Sequence, residues 1–150
     1  MIKLVLPYPI SANRYWNSFP LGKRIMTAPS SEAKSYKRDV ARIVKAAGIL
    51  APIQGRVAID IELYPARPQD WQKRMRTEGA AWDNSVRCID LDNARKVLYD
   101  SLKGLAIEDD KWVFRDSGRR MEPDGEARVE VTITAIAVDI PQTNLFEEMA

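Results

Sequence analysis

Histidine is absent from the 150 residues, and cysteine occurs once, as Cys88. The first absence excludes Ser-His-Asp and Cys-His catalysis, histidine acid–base chemistry and any His-bearing zinc site. A lone thiol excludes an internal disulfide framework and an all-cysteine zinc site, and it fits a reducing cytoplasm. No apolar run approaches the roughly 18 residues that a membrane-spanning helix needs. The opening Met1-Ile2-Lys3-Leu4-Val5-Leu6-Pro7 reads as too short for a secretory signal and has no small-residue cleavage site. The expectation is a cytoplasmic protein with no membrane partner. An enzyme built from these residues must work with carboxylates, lysine and a hard cation.

Positive charge is present, but its excess is small: 23 basic against 21 acidic residues give a formal net charge of +2. The distribution says more than the total. Lys34, Lys37, Arg38, Arg42 and Lys45 recur at helical spacing; Arg67, Lys73, Arg74, Arg76 and Arg87 share one irregular stretch; Lys111, Arg115, Arg119 and Arg120 form a third group. Grouped cations of this kind neutralise phosphates and release counterions, or else form solvated faces.

The chain length suits one domain. Lys3 to Leu6 reads as a strand, and Pro7, Pro9, Ser11 and Asn13 then predict turn and loop to about Ala28. Ser30 or Ser31 can cap a helix whose apolar positions are Ala33, Tyr36, Val40, Ile43, Val44 and Ala47, with Gly48 as its stop. Arg56 to Leu63 alternates as a half-buried strand. Residues 66 to 87 show no clean period and read as a long loop with room for a short helix. A second helix is predicted from Asp92, as cap, to Lys103, with Ala94, Val97, Leu98 and Leu102 as its apolar stripe and Gly104 as its stop. Lys111 to Arg115 and Ala127 to Val138 read as strands of one hairpin around the turn Pro123-Asp124-Gly125. The expected class is α/β (α+β): a mixed sheet with a β-hairpin and two main helices packed on it. The expected domain is 1–140, followed by a flexible polar tail, 141–150.

The densest chemistry lies between Asp90 and Asp110. In extended chain Asp90 and Asp92 present both carboxylates on one side. Lys96 lies one turn after Asp92 on the same helical face. The Asp109-Asp110 pair follows the helix after a short loop, and a chain reversal there would return Asp110 to the Asp90/Asp92 end. Carboxylates converging without a cation repel one another. Mg²⁺, with Mn²⁺ as a substitute, is the ion that oxygen-only ligands favour, and it would activate water and stabilise charge on a phosphate oxygen. Lys96 could contact the scissile phosphate. The bland alternative makes Asp92 an N-cap and Asp109-Asp110 a turn.

Asp90-Leu91-Asp92-Asn93, followed by Lys96, Asp100, Leu102, Gly104, Asp109-Asp110 and Val113, resembles the core signature of the RusA family of Holliday junction resolvases. Leu6-Pro7-Tyr8-Pro9 with Ser11-Ala12-Asn13-Arg14-Tyr15, and Ser35-Tyr36 leading to Val40-Ala41-Arg42-Ile43, are similar to the same family in the same order. The resemblance implies a small homodimeric, Mg²⁺-dependent endonuclease of bacteria and prophages. Such an enzyme binds four-way DNA junctions and cuts two strands symmetrically in recombination and repair. It implies Asp90, Asp92 and Asp110 as catalytic metal ligands, Lys96 as a catalytic lysine, and Ser11, Asn13, Arg14 and Asn93 on the DNA surface.

Two departures stand out. Cys88 and Ile89 precede the first aspartate where the family type has arginines, leaving Arg87 one step away. An insertion from about Pro68 to Val86 carries Trp71, Lys73, Arg74, Arg76 and Trp82. The insertion is therefore expected to replace the missing arginines, with Arg74, Arg76 and Arg87 binding DNA and a tryptophan free to stack on an unpaired base. At the end of the chain, Gln142-x-x-Leu145-Phe146 resembles the short peptide that docks bacterial DNA-processing proteins on the sliding clamp. Alternatives from the residues alone are a Mg²⁺ nuclease on other branched or flap DNA, a catalytically silent DNA-binding module, and a structural phage protein.

Overall fold

The computed structural model describes residues 1–141; the clamp-like segment with Gln142, Leu145 and Phe146 lies outside them. Its main sheet has the order β1 (Ile2–Pro7), β6 (Arg128–Ala135), β4 (Val57–Tyr64), β5 (Val113–Arg120). β6 runs antiparallel to both β1 and β4, whereas β4 and β5 are parallel. The strict alternation in β4 buries Val57, Ile59, Ile61 and Leu63, and Val129, Val131 and Ile133 of β6 join them on the same face. Helices α2 (Ser31–Ala46) and α4 (Leu91–Leu102) cover that face with Ala33, Tyr36, Val40 and Val44, and with Ala94, Val97, Leu98 and Leu102. Ser30 caps α2, its hydroxyl accepting from the Ala33 N–H at 3.1 Å. No helix among the described residues is long and apolar enough to cross a membrane.

The mixed sheet, a hairpin and the two packed helices are as the sequence predicts, but the strand pairing differs. The strands around Pro123-Asp124-Gly125 do not pair with each other: β6 inserts between β1 and β4, and β5 lies on the far edge beside β4. The hairpin is elsewhere, in the segment read as loop. After the short α1 (Ala12–Tyr15), β2 (Trp16–Leu21) and β3 (Arg24–Pro29) form a separate two-stranded ribbon. Gly22, at φ 63°, opens its two-residue turn, as primed hairpin turns require. Pro20 and Pro29 are tolerated because each strand of a ribbon is an edge.

The supposed long loop is ordered: α3 (Trp71–Glu78) runs into a 3₁₀ turn, Gly79–Ser85. Trp82 anchors it from the interior, 2% exposed, its indole N–H donating to Glu122 Oε1 at 2.9 Å. Trp82 is therefore not free to stack on a base. Trp71 is half-buried with the Arg67 guanidinium 4.5 Å from its ring centroid.

Candidate active site

Helix α4 begins two residues earlier than expected, with Asp90 rather than Asp92 at the N-cap. Asp90 and Asp92 thus flank a helix start rather than sharing one side of an extended strand. Asp90 is extended, at φ −67° and ψ 145°, and its carboxylate makes no capping hydrogen bond. Its backbone carbonyl starts the helix by accepting from the Ala94 N–H at 3.0 Å. Asp92 stands in the first turn with its side chain 72% exposed, and Lys96 Nζ lies 3.2 Å from its carboxylate. Asn93 is half-buried in the same turn. Two exposed carboxylates and a lysine therefore gather where the helix dipole favours negative charge.

Asp110 is not with them. The β4–α4–β5 unit is a parallel crossover, so α4 runs back against the strand that follows it. The contacts trace this direction. Leu91 lies against Gly118, within 3.6 Å of where a Cβ would stand. Arg95 and Tyr99 reach Asp116 at 2.8 and 2.7 Å, and Lys103 reaches Asp109 at 3.5 Å. Asp110, in a 3₁₀ turn (Asp110–Trp112) leading into β5, is therefore at the C-terminal end of α4. The 12 residues of that helix rise about 18 Å. Among the described residues no group of three or more His, Cys, Asp or Glu side chains could hold one ion. At the Asp110 end a hydrogen bond from the Asp110 carboxyl to Asp109 raises the pKa of Asp110. The same bond, aided by the Lys111 N–H and by Lys103, lowers Asp109 to about 2.

A cleft of about 840 Å³ adjoins the Asp90 end, with Tyr8, Ser11, Arg14, Arg74, Arg87 and Cys88 among its lining residues. Ser11, Arg14, Arg74 and Arg87 come from three separate stretches of sequence, and the fold brings them to one groove whose wall continues through Ile89 to Asp90. Arg74 is held by Asp70 at 2.9 Å, and Arg14 pairs with Glu32 at 2.7 Å while staying two-thirds exposed. Asn13 is exposed on α1, Arg76 is exposed on α3 and Asn93 sits on α4; none of the three lines the cleft. The sequence reading missed the part played by Tyr8. Its hydroxyl accepts from the Ile89 N–H at 2.8 Å, and burial pushes its pKa up to about 12. It ties the exit of β1 to the segment that presents Asp90; the signal was there in Leu6-Pro7-Tyr8-Pro9.

A family model described as Endodeoxyribonuclease RusA matches residues 7–134, from the end of β1 through nearly all of β6. The chain belongs to the RusA endodeoxyribonuclease family. It is a phosphodiester hydrolase of the Holliday junction resolvase type, an endonuclease acting on branched DNA. No curated protein matches the chain.

Nucleases of this family use a divalent metal. The Asp90/Asp92 pair suits a hard cation: both groups are oxygen donors, both are exposed, and neither is spent on a cap. Mg²⁺ commonly takes one or two carboxylates and completes its shell with water and substrate phosphate, so a pair at one helix end meets the requirement in part.

Proposed function

We propose that the protein is a Mg²⁺-dependent homodimeric resolvase, able to use Mn²⁺ instead, that resolves four-way junctions by paired symmetric nicks in recombination and repair. In this reading Asp90 and Asp92 of one protomer and Asp110 of the partner subunit hold the metal. The observation that carries it is the position of Asp110 at the opposite end of α4 from the other two aspartates. A chain that keeps its third carboxylate at the far end of a helix rising about 18 Å cannot close the set alone, whereas a two-fold axis that swaps the helix ends closes two sets at once. The same axis relates two cuts on opposed strands.

When bound, magnesium supplies Lewis acidity and charge neutralisation at the scissile phosphate. The chain's own residues do the rest. Lys96, steered by Asp92, offers an ammonium to the phosphate and to the charge that develops on it. Arg14, Arg74 and Arg87 hold flanking phosphates along the cleft, with Ser11 as a hydrogen-bonding partner and Asn13, Arg76 and Asn93 contacting the backbone further out. The exposed cations of α2 extend that surface, except Lys37, which pairs with Asp100 at 2.9 Å, and Arg42, which pairs with Asp39 at 2.9 Å. Cleavage of other branched or flap DNA needs the same residues, and a panel of such substrates beside four-way junctions separates the two activities. In a bacterial cytoplasm, Gln142, Leu145 and Phe146 would add a sliding clamp as partner; a pull-down with Leu145→Ala/Phe146→Ala reads that contact.

The decisive test mixes two inactive proteins. Asp90→Asn and Asp110→Asn should each abolish junction nicking alone. Subunit exchange between them makes heterodimers in which one site has lost both residues and the other has lost neither. Single nicks should return at about a quarter of the wild-type site count. A mixture as dead as its components would place the three carboxylates in one chain and overturn the shared site.

A further inference from the structure

At the Asp110 end, a set of side chains forms a stack that the catalytic assignment leaves unused. Lys111 Nζ lies 5.5 Å from the centroid of the Trp112 ring. The Trp112 and Phe114 rings are near parallel, at 18°, with centroids 6.5 Å apart. The Arg56 guanidinium sits 4.2 Å from the centroid of Phe114. Each ring thus has a cation against it and the other ring beside it, and Phe114 remains 54% exposed.

The backbone is arranged to present it. Val57 pairs with Val113 and Ala58 with Arg115, so Phe114 is an extra residue in β5 with no partner in β4. A bulge of this kind bends a strand and re-aims a side chain, and bulges concentrate beside active sites. β5 is also the edge of the sheet, where the open ladder is flanked by Arg115, Arg119 and Arg120. The neighbouring acids are engaged: Asp109 with Lys103, Asp116 with Arg95 and Tyr99, and Glu108 with the Gly55 N–H at 2.7 Å. Lys111 and Arg56 thus set cations beside a half-buried Trp112 ring and an exposed Phe114 ring, which matches a polyanion carrying flat bases.

We propose that Trp112 and Phe114, flanked by Lys111 and Arg56, form a stacking platform for a base unstacked at the branch point of the junction. The proposal rests on the shared-site reading: Asp110 delivered to the partner's Asp90 and Asp92 carries the platform, two and four residues further along the chain, to the scissile phosphate there. Stacking on aromatic faces tolerates any base, while the cations engage the adjoining phosphates. A perfect duplex offers no free base, so the platform favours branched over linear DNA.

The test uses the full chain carrying Asp90→Asn, so that binding is read without cleavage, and a four-way junction with 2-aminopurine at the crossover. Adding Trp112→Ala and Phe114→Ala should weaken junction binding about tenfold and abolish the change in 2-aminopurine fluorescence, with duplex affinity altered less than about twofold. Trp112→Phe with Phe114→Tyr should restore both signals. Junction affinity and fluorescence that ignore the double alanine change would overturn the platform. So would an equal loss on duplex and junction, or on the alanine and aromatic variants alike, since that reports lost folding or lost phosphate contact. Junction nicking by the wild type is scored separately: a protein that nicks junctions yet passes through the alanine changes unaltered loses the platform and keeps the resolvase reading.

Discussion

The two ends of α4 carry acidic residues to opposite effect. At the start, Asp90 and Asp92 are exposed at the positive pole of the helix, attended by one lysine and bordered by a cleft rich in arginine. At the finish, Asp109 and Asp110 hydrogen-bond to each other beside Lys103, and one carboxyl holds its proton more firmly because the other releases its own more easily. An acid-rich run in sequence is therefore not a spatial cluster. A crossover helix separates residues that are close in sequence, and each end acquires its own electrostatics from its own neighbours.

The comparison breaks most visibly by neutralising each end in turn. Asp90→Asn or Asp92→Asn should lower junction nicking by at least about 10³-fold, the several kcal/mol that a metal contributes to phosphoryl transfer, while binding persists. Asp109→Asn removes no proposed ligand, only the carboxylate shared by Asp110, Lys103 and the Lys111 N–H, and should cost less than about tenfold, since it disturbs contacts beside a ligand and not the ligand itself. Single-turnover cleavage with saturating metal measures both. Equal losses at the two positions would erase the distinction between a ligand and its neighbour.

A second contrast sets the arginine cleft of the first end against the aromatic stack of the second. Arg14→Ala, Arg74→Ala and Arg87→Ala should each weaken binding to junction and duplex alike, by up to about tenfold, and reduce the slope of log affinity against log salt by about one. Titrations at several salt concentrations measure this. Arg76→Ala, exposed on α3 and outside the cleft, should change the slope less than these three. A slope indifferent to Arg14, Arg74 and Arg87 would mean that DNA runs elsewhere.

Much of this was legible in sequence because it is periodic or local. The alternation of Val57 to Leu63 fixed one face of β4, and Ala94, Val97, Leu98 and Leu102 fixed the buried side of α4. What escaped depended on partners remote in sequence. Which strands neighbour β6 is decided by the pairing of its two edges with β1 and β4, and nothing within 128–135 states that. Pro7, Pro9, Ser11 and Asn13 argued for loop as far as Ala28, yet a free-standing ribbon has two edges, on which Pro20 and Pro29 are tolerated. Trp82 looked like a residue among charges, and only its 2% exposure and its bond to Glu122 reveal a core anchor. For the catalytic set, the residue types were readable; their arrangement was not, because Asp109-Asp110 could reverse towards either end of the helix until the β4–β5 register settled the direction.

In the last turn of α4 another acid, Asp100, has an architectural part. Asp100 accepts a hydrogen bond from the Tyr15 hydroxyl and pairs with Lys37 at 2.9 Å, joining α1, α2 and α4. Tyr15→Phe should lower stability by about 1 kcal/mol, a factor of about five in the folding equilibrium, and leave single-turnover nicking unchanged. The phenols of Tyr8, Tyr15, Tyr36 and Tyr99 are all raised, chiefly by burial. Above pH 10 the unfolded chain releases phenolic protons that the folded chain retains, so the unfolded state binds fewer protons and stability falls as pH rises. Below pH 10 that contribution is fully present. Denaturant unfolding at pH 8 and at successive values above 10 should show the wild type losing stability steeply, and Tyr15→Phe, with one such group fewer, starting lower but falling less. Parallel slopes would place Tyr15 outside the alkaline transition and confine Asp100 to its pairing with Lys37.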